Sequence, residues 1–126
     1  MTKRQPIRRR SKYSAKPTRV DGKYFPSKVE AERWGVLALL EKAGEISDLE
    51  WQPLVTLLDT PEGTIKYKAD SAYTENGVRY HEDVKGIMTD RFRLVVKLWS
   101  AFGPGPLRVT ARKGGRICMV REVKGA

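Results

Sequence analysis

With 126 residues the chain has the length of one ordinary domain, able to bury a single core without help from metals or disulfides. Its composition, 40% hydrophobic and 32% charged, is that of a folded domain with a very polar surface, and a net charge of +10 makes a polyanion its expected neighbour, nucleic acid before an anionic membrane. No apolar run approaches the roughly 20 residues of a membrane span, the arginine-rich start lacks a signal peptide's apolar core, and one cysteine, Cys118, with one histidine, His81, gives neither an internal disulfide nor a zinc cluster, so a cytoplasmic protein is expected.

Residues 1–19 read as a basic arm, with Lys3, Arg4, Arg8, Arg9, Arg10, Lys12, Lys16 and Arg19, two prolines and no acid. Such an arm is a solvated tail or a phosphate-tracking segment that gains order on DNA or RNA, and the two are compatible. Residues 20–126 are expected to form one domain. Asp21-Gly22 marks a turn, Ser27 can cap a helix from Lys28 to Ala43, and Gly44 ends it.

Trp51-Gln52-Pro53 leads into a short apolar strand, Leu54 to Asp59, and Thr60-Pro61-Glu62-Gly63 turns the chain back. Thr64 to Tyr73 suits a strand, Glu75-Asn76-Gly77 marks a hairpin turn, and Val78 to Lys85 suits the partner strand. Thr89 can cap a second helix over Asp90 to Phe102, which Gly103-Pro104-Gly105-Pro106 stops. Leu107 to Ala111 and Arg116 to Val123 then read as two more strands joined through Lys113-Gly114-Gly115. The order helix, three strands, helix, two strands predicts an α/β sandwich.

Asn-Gly between two strand-like runs sets a register. Glu75 then faces Val78, Tyr73 faces Tyr80, and Asp70 faces Asp83. Alternation puts Arg79, His81, Asp83 and Lys85 on a charged face with Lys68, Asp70 and Ala72, and puts Val78, Tyr80, Glu82 and Val84 on a mostly apolar face with Tyr67, Ala69, Ser71 and Tyr73. Two opposed aspartates repel unless a cation stands between them. Lys68 and Lys85 can bridge a solvated pair, or the carboxylates can converge on a hard Mg²⁺ or Mn²⁺ ion. Glu30 is similarly open: Ser27-Lys28-Val29-Glu30 is a capping box, yet Glu30 shares a helix face with Trp34, Leu37 and Ala38 and can point toward the sheet.

A helix glutamate, Glu30, then a strand aspartate, Asp70, then Asp83-Val84-Lys85 on the next strand of a hairpin resembles the PD-(D/E)XK nuclease superfamily. Within it the chain looks most like the small phage and archaeal-type Holliday junction resolvases, and like a phage protein family with "DGKYFPSKVEAERW", "KYKADSAY" and "EDVKG" as its blocks, a similarity covering Tyr13 to Lys97. Ala69 stands where the superfamily's name has proline, and the second acid is aspartate rather than the commoner glutamate.

The resemblance implies a restriction-endonuclease-like sandwich, a central mixed sheet in the order α-β-β-β-α-β-β with flanking helices. It also implies a Mg²⁺-dependent endodeoxyribonuclease, with Mn²⁺ able to substitute, that resolves four-way junctions in branched DNA as a homodimer without a membrane partner. Asp70 and Asp83 would hold the ion, the Val84 carbonyl would add a ligand, Glu30 would complete the shell or hold a second ion, and Lys85 would orient the attacking water or neutralise the phosphate. Gln52 resembles a glutamine found near such sites, and His81, on the charged face, is a base, a phosphate ligand or a plain surface residue. DNA contacts are expected from Arg8, Arg9, Arg10, Lys12, Tyr13 and Lys16 ahead of the first helix, and from Arg91, Arg93 and Lys97 on the second, whose basic face is otherwise merely solvated. The interface of the expected homodimer is left between Arg116–Val123 and the region of Val95, Trp99 and Phe102, each also a candidate for the core. A nuclease for forks, nicks or duplex DNA and a non-catalytic basic nucleic-acid-binding module are the competing readings.

Overall fold

The computed structural model describes residues 18–20 and 22–126, so Arg8, Arg9, Arg10, Lys12, Tyr13 and Lys16 lie outside the described residues. A short hairpin, β1 (Thr18–Val20) with β2 (Lys23–Phe25), takes in the last two residues of the basic arm and leads to helix α1 (Lys28–Lys42). Ser27 caps α1, its hydroxyl accepting from the Glu30 N–H, and Gly44 beyond the end takes a left-handed φ of 80°. Helix α2 (Asp90–Phe102) starts likewise on Thr89, whose hydroxyl accepts from the Phe92 N–H. Both helices run as their local capping signals predict.

Seven further strands follow the first hairpin: β3 (Ser47–Trp51), β4 (Leu54–Thr60), β5 (Gly63–Lys68), β6 (Ser71–Glu75), β7 (Val78–Val84), β8 (Leu107–Lys113) and β9 (Arg116–Val123). A five-stranded mixed sheet runs β3-β6-β7-β8-β9, with β7 and β8 parallel across the α2 crossover and the other pairs antiparallel. This is an α/β architecture with a mixed central sheet and two flanking helices. The hairpin register holds as predicted, Glu75 opposite Val78 and Tyr73 opposite Tyr80, because Asn76 and Gly77 both take the positive φ values, 49° and 79°, of a tight two-residue turn.

The three strands predicted between the two helices do not pair in sequence as one sheet. Thr64 to Tyr73 is not one strand: β5 pairs only with β4, β6 pairs with β3 and β7, and β3 is a strand the sequence pattern misses. The chain is a long antiparallel ribbon bent in the middle. Trp51 faces Ser71 on one side of the bend and Leu54 faces Lys68 on the other, while Gln52 N–H donates to the Asp70 carbonyl and Ala69 N–H to the Pro53 carbonyl between them. Gln52 at φ 50° and Pro53, which has no N–H to give a ladder, break the strand there.

The bend carries Tyr67 to one side of the sheet and Tyr73 to the other. Tyr67 packs with Phe92 and Trp99 of α2, beside Leu57, Val96, Leu107, Val109 and Val123, whereas Tyr73 joins Leu37 and Ile46 under α1. The predicted grouping of Tyr67 with Tyr73 on one face is therefore wrong, since alternation does not survive a bend. Nor is there an exposed charged face: helices cover both sides, and His81, Glu82 and Asp83 are all buried. Of the two regions offered for a dimer interface, Trp99 is core, while β9 is an exposed edge strand with Met119 and Val120 open.

Glu82, at 1% exposure the most deeply buried glutamate, sits under α1 in a two-pronged pair with Arg33, whose Nε and Nη2 donate at 2.6 and 2.8 Å. The Tyr73 hydroxyl donates to the same carboxylate at 2.7 Å, and Arg108 donates in turn to that hydroxyl and to Glu75. Removing one partner of such a pair leaves a buried charge uncompensated. Arg33→Met is expected to cost about 3 kcal/mol in urea unfolding, and adding Glu82→Gln to recover part of that loss.

Candidate active site

Asp70 occupies the bend and Asp83 the last full turn of pairing on β7, so the two backbones come together where the sheet opens. Each carboxylate is spent on the other's strand. Asp83 Oδ1 accepts from the Asp70 N–H at 3.0 Å, and Asp70 Oδ2 accepts from the Val84 N–H at 2.8 Å. Asp70 therefore does stand next to Asp83, but through backbone amides rather than across a solvated pair bridged by Lys68, which is exposed on β5.

Asp83 is 1% exposed, and its second oxygen, Oδ2, is buried with no hydrogen-bond partner among the described residues. A buried carboxylate oxygen without a donor is costly, so it marks a place made for a cation or a proton. Burial first, against the attraction of Lys85, pushes the Asp83 carboxyl up to about 7. Burial likewise raises the Asp70 carboxyl, with the Val84 amide working against it.

Glu30 approaches from the first turn of α1. It lines a cavity with Trp34, Trp51, Gln52, Asp70 and Val84, and burial followed by repulsion from Asp70 pushes its carboxyl up to about 7. Glu30 serves the helix cap and the cavity together: its N–H donates to the Ser27 hydroxyl and its side chain also interacts with Ser27, while it lines the cavity beside Asp70. Gln52 belongs to the same cavity, and its left-handed backbone is strain of the kind kept at working sites.

Lys85 extends toward α2, with Nζ 4.5 Å from the centroid of the Phe92 ring, and its charge acts on Glu30, Asp70 and Asp83 without closing an ion pair to any of them. His81 is not at the surface. It packs on Trp99 at 5.1 Å, and burial, then Arg79, lowers its pKa, leaving a neutral ring in the α2 core. Arg91, Arg93 and Lys97 are exposed on α2, with Arg93 paired to Asp90 at 2.8 Å.

The residues missed from sequence are Arg33, Trp34 and Trp51. Arg33 had a signal: Glu82 grouped with Tyr73 on a helix-covered face needs a cation, and Arg33 lies one turn from Glu30. Among the described residues no three carboxylate, imidazole or thiol side chains close into a ready-made metal shell. Asp70 and Asp83 nonetheless fit a divalent cation, since the donors are hard oxygens, one of them orphaned among the described residues, and Glu30 lines a cavity with Asp70.

Compared with known proteins, residues 10–103 match a family described as "Protein of unknown function (DUF1064)". No curated protein and no solved structure matches the chain. Among the described residues no helix is long and apolar enough to cross a membrane.

The raised carboxyls make stability depend on pH. Glu30 and Asp83 hold protons in the folded chain up to about 7, whereas the unfolded chain releases them in the ordinary carboxylate range, so their contribution is full in acid and lost as pH rises through about 7. In EDTA, Asp83→Asn is expected to raise the thermal midpoint by a few degrees at pH 8 and hardly at all at pH 4. Added Mg²⁺ should raise the wild-type midpoint at pH 8 more than at pH 5.5, read by circular dichroism.

Proposed function

The chain belongs to the DUF1064 family, and we propose that it is a metal-dependent, structure-selective endonuclease that resolves four-way junctions in branched DNA as a homodimer. The observation that carries this reading is the gathering of three carboxyl groups at one end of the sheet, buried Asp83 with half-buried Asp70 and Glu30, with Asp83 Oδ2 left unpartnered among the described residues. Three acids in a folded chain of net charge +10 are stable together only with protons or a cation between them.

Asp70, Asp83 and Glu30 are the residues that hold a Mg²⁺ or Mn²⁺ ion, with the Val84 carbonyl as a further oxygen donor. Bound there, the ion supplies charge for the phosphoryl oxygens and acidifies a water. Lys85, without an ion pair among the described residues, neutralises the scissile phosphate or orients that water, and the Phe92 ring beneath it keeps its ammonium from folding away. Gln52 lines the same cavity as Asp70. Arg33 acts on chemistry only through position, tying Glu82 down and with it the helix turn that carries Glu30.

Two copies present two sites related by a twofold axis, as paired cuts in a four-way junction require. Purified protein is expected to cut a synthetic four-way junction with Mg²⁺ and not with EDTA, and to cut a fork, a nicked duplex and a linear duplex far less. Asp70→Asn and Asp83→Asn should abolish the cut, and Lys85→Ala should slow it by about 100-fold. Equal cleavage of all four substrates would remove the resolvase reading and keep the nuclease; cleavage surviving both aspartate changes would remove the catalytic assignment.

A further inference from the structure

Lys113 and Arg116 stand in direct register across the turn of the β8–β9 hairpin. Two like charges opposed on an antiparallel pair have Cβ atoms about 4.5–5.5 Å apart and destabilise it. Both side chains are exposed, and among the described residues neither forms an ion pair with an acid. Arg112 beside them differs, being tied to Glu32 of α1. The turn itself is Gly114-Gly115, at φ 56° and 81°, so the hairpin ends in bare backbone that a ligand can approach closely.

The hairpin's position gives the repulsion a use. Strand β8 runs parallel to β7 with Thr110 opposite Val84, and the Lys85 N–H donates to the Thr110 carbonyl. Strand β7 ends at that level, while β8 continues three residues to Lys113, about 10 Å farther. The cations therefore overhang the same end of the sheet at which Glu30, Asp70 and Asp83 gather. A chain of phosphates fits both facts, satisfying two adjacent cations and passing the carboxylates; an anionic membrane would account for the charge but not for its placement.

We propose that the β8–β9 hairpin tip is a phosphate-contacting finger, in which Lys113 and Arg116 grip the backbone of the DNA strand cut at the carboxylates. Where that strand runs rests on the nuclease reading above. The finger also explains why two unpaired cations are kept at a turn: the repulsion between them is relieved when the backbone arrives.

The test is binding rather than cleavage. A fluorescent four-way junction is titrated in EDTA over a range of salt with wild type, K113A/R116A and K113E/R116E. The double alanine variant is expected to bind on the order of tenfold more weakly at about 0.1 M salt, with the slope of log K against log salt reduced by about 1.8 for two lost phosphate contacts. The charge-reversed variant should bind more weakly still, and a thermal midpoint at or above wild type shows the alanine variant folded. Unchanged affinity and slope, no binding by wild type, or loss of binding to phosphatidylglycerol vesicles with DNA binding intact would each overturn the finger. Finger-dependent binding by a wild type that cuts no DNA would count against the nuclease reading alone.

Discussion

The fork between Arg33 and Glu82 is the interaction on which the rest depends. Glu82 sits in the centre of the middle strand at 1% exposure, and only a matched, hydrogen-bonded partner makes a carboxylate tolerable there. A planar guanidinium offers two parallel N–H groups to two oxygens, which fixes rotation as well as distance. Helix α1 is thus locked against β7 one turn from Glu30, and the Tyr73 and Arg108 hydrogen bonds extend the lock to β6 and β8. Apolar packing of Leu37 on Ile46 and Tyr73 would hold the helix down without deciding its rotation.

That lock explains the division of labour among adjacent acids. On a strand, Glu82 and Asp83 must face opposite sides, so one can serve the α1 core while the other serves the open end. Glu82 is spent on structure. Asp83 is left with one oxygen satisfied by a backbone amide and, among the described residues, one without a partner. The bend at Gln52-Pro53 opposite Ala69-Asp70 makes the opening, because it takes the β4–β5 ribbon out of the main sheet and leaves Asp70 as the last residue before pairing resumes.

Charge is arranged in the same spirit at the two ends of one problem. Acids crowd at the base of the opening, and Lys113 and Arg116, without an ion pair among the described residues, overhang it, so each group lies where opposite charge would relieve it.

What the sequence determined by itself is whatever short-range chemistry decides. Ser27 and Thr89 started their helices where they should, Gly103-Pro104 stopped α2, and Asn76-Gly77 set a register that separated Asp83 from Glu82, because caps and two-residue turns depend only on neighbours along the chain. Only the tertiary structure decided the rest. Ser47–Trp51 became a strand although its acids, Asp48 and Glu50, argued against one, since Arg79 from β7 satisfies both the Asp48 carbonyl and the Glu50 carboxylate. Tyr67 and His81 became core, and Gln52 came to lie opposite Asp70, through a bend and a second helix layer that no local pattern encodes. Those contacts join residues far apart in the chain, and their free energy exists only once the layers have closed.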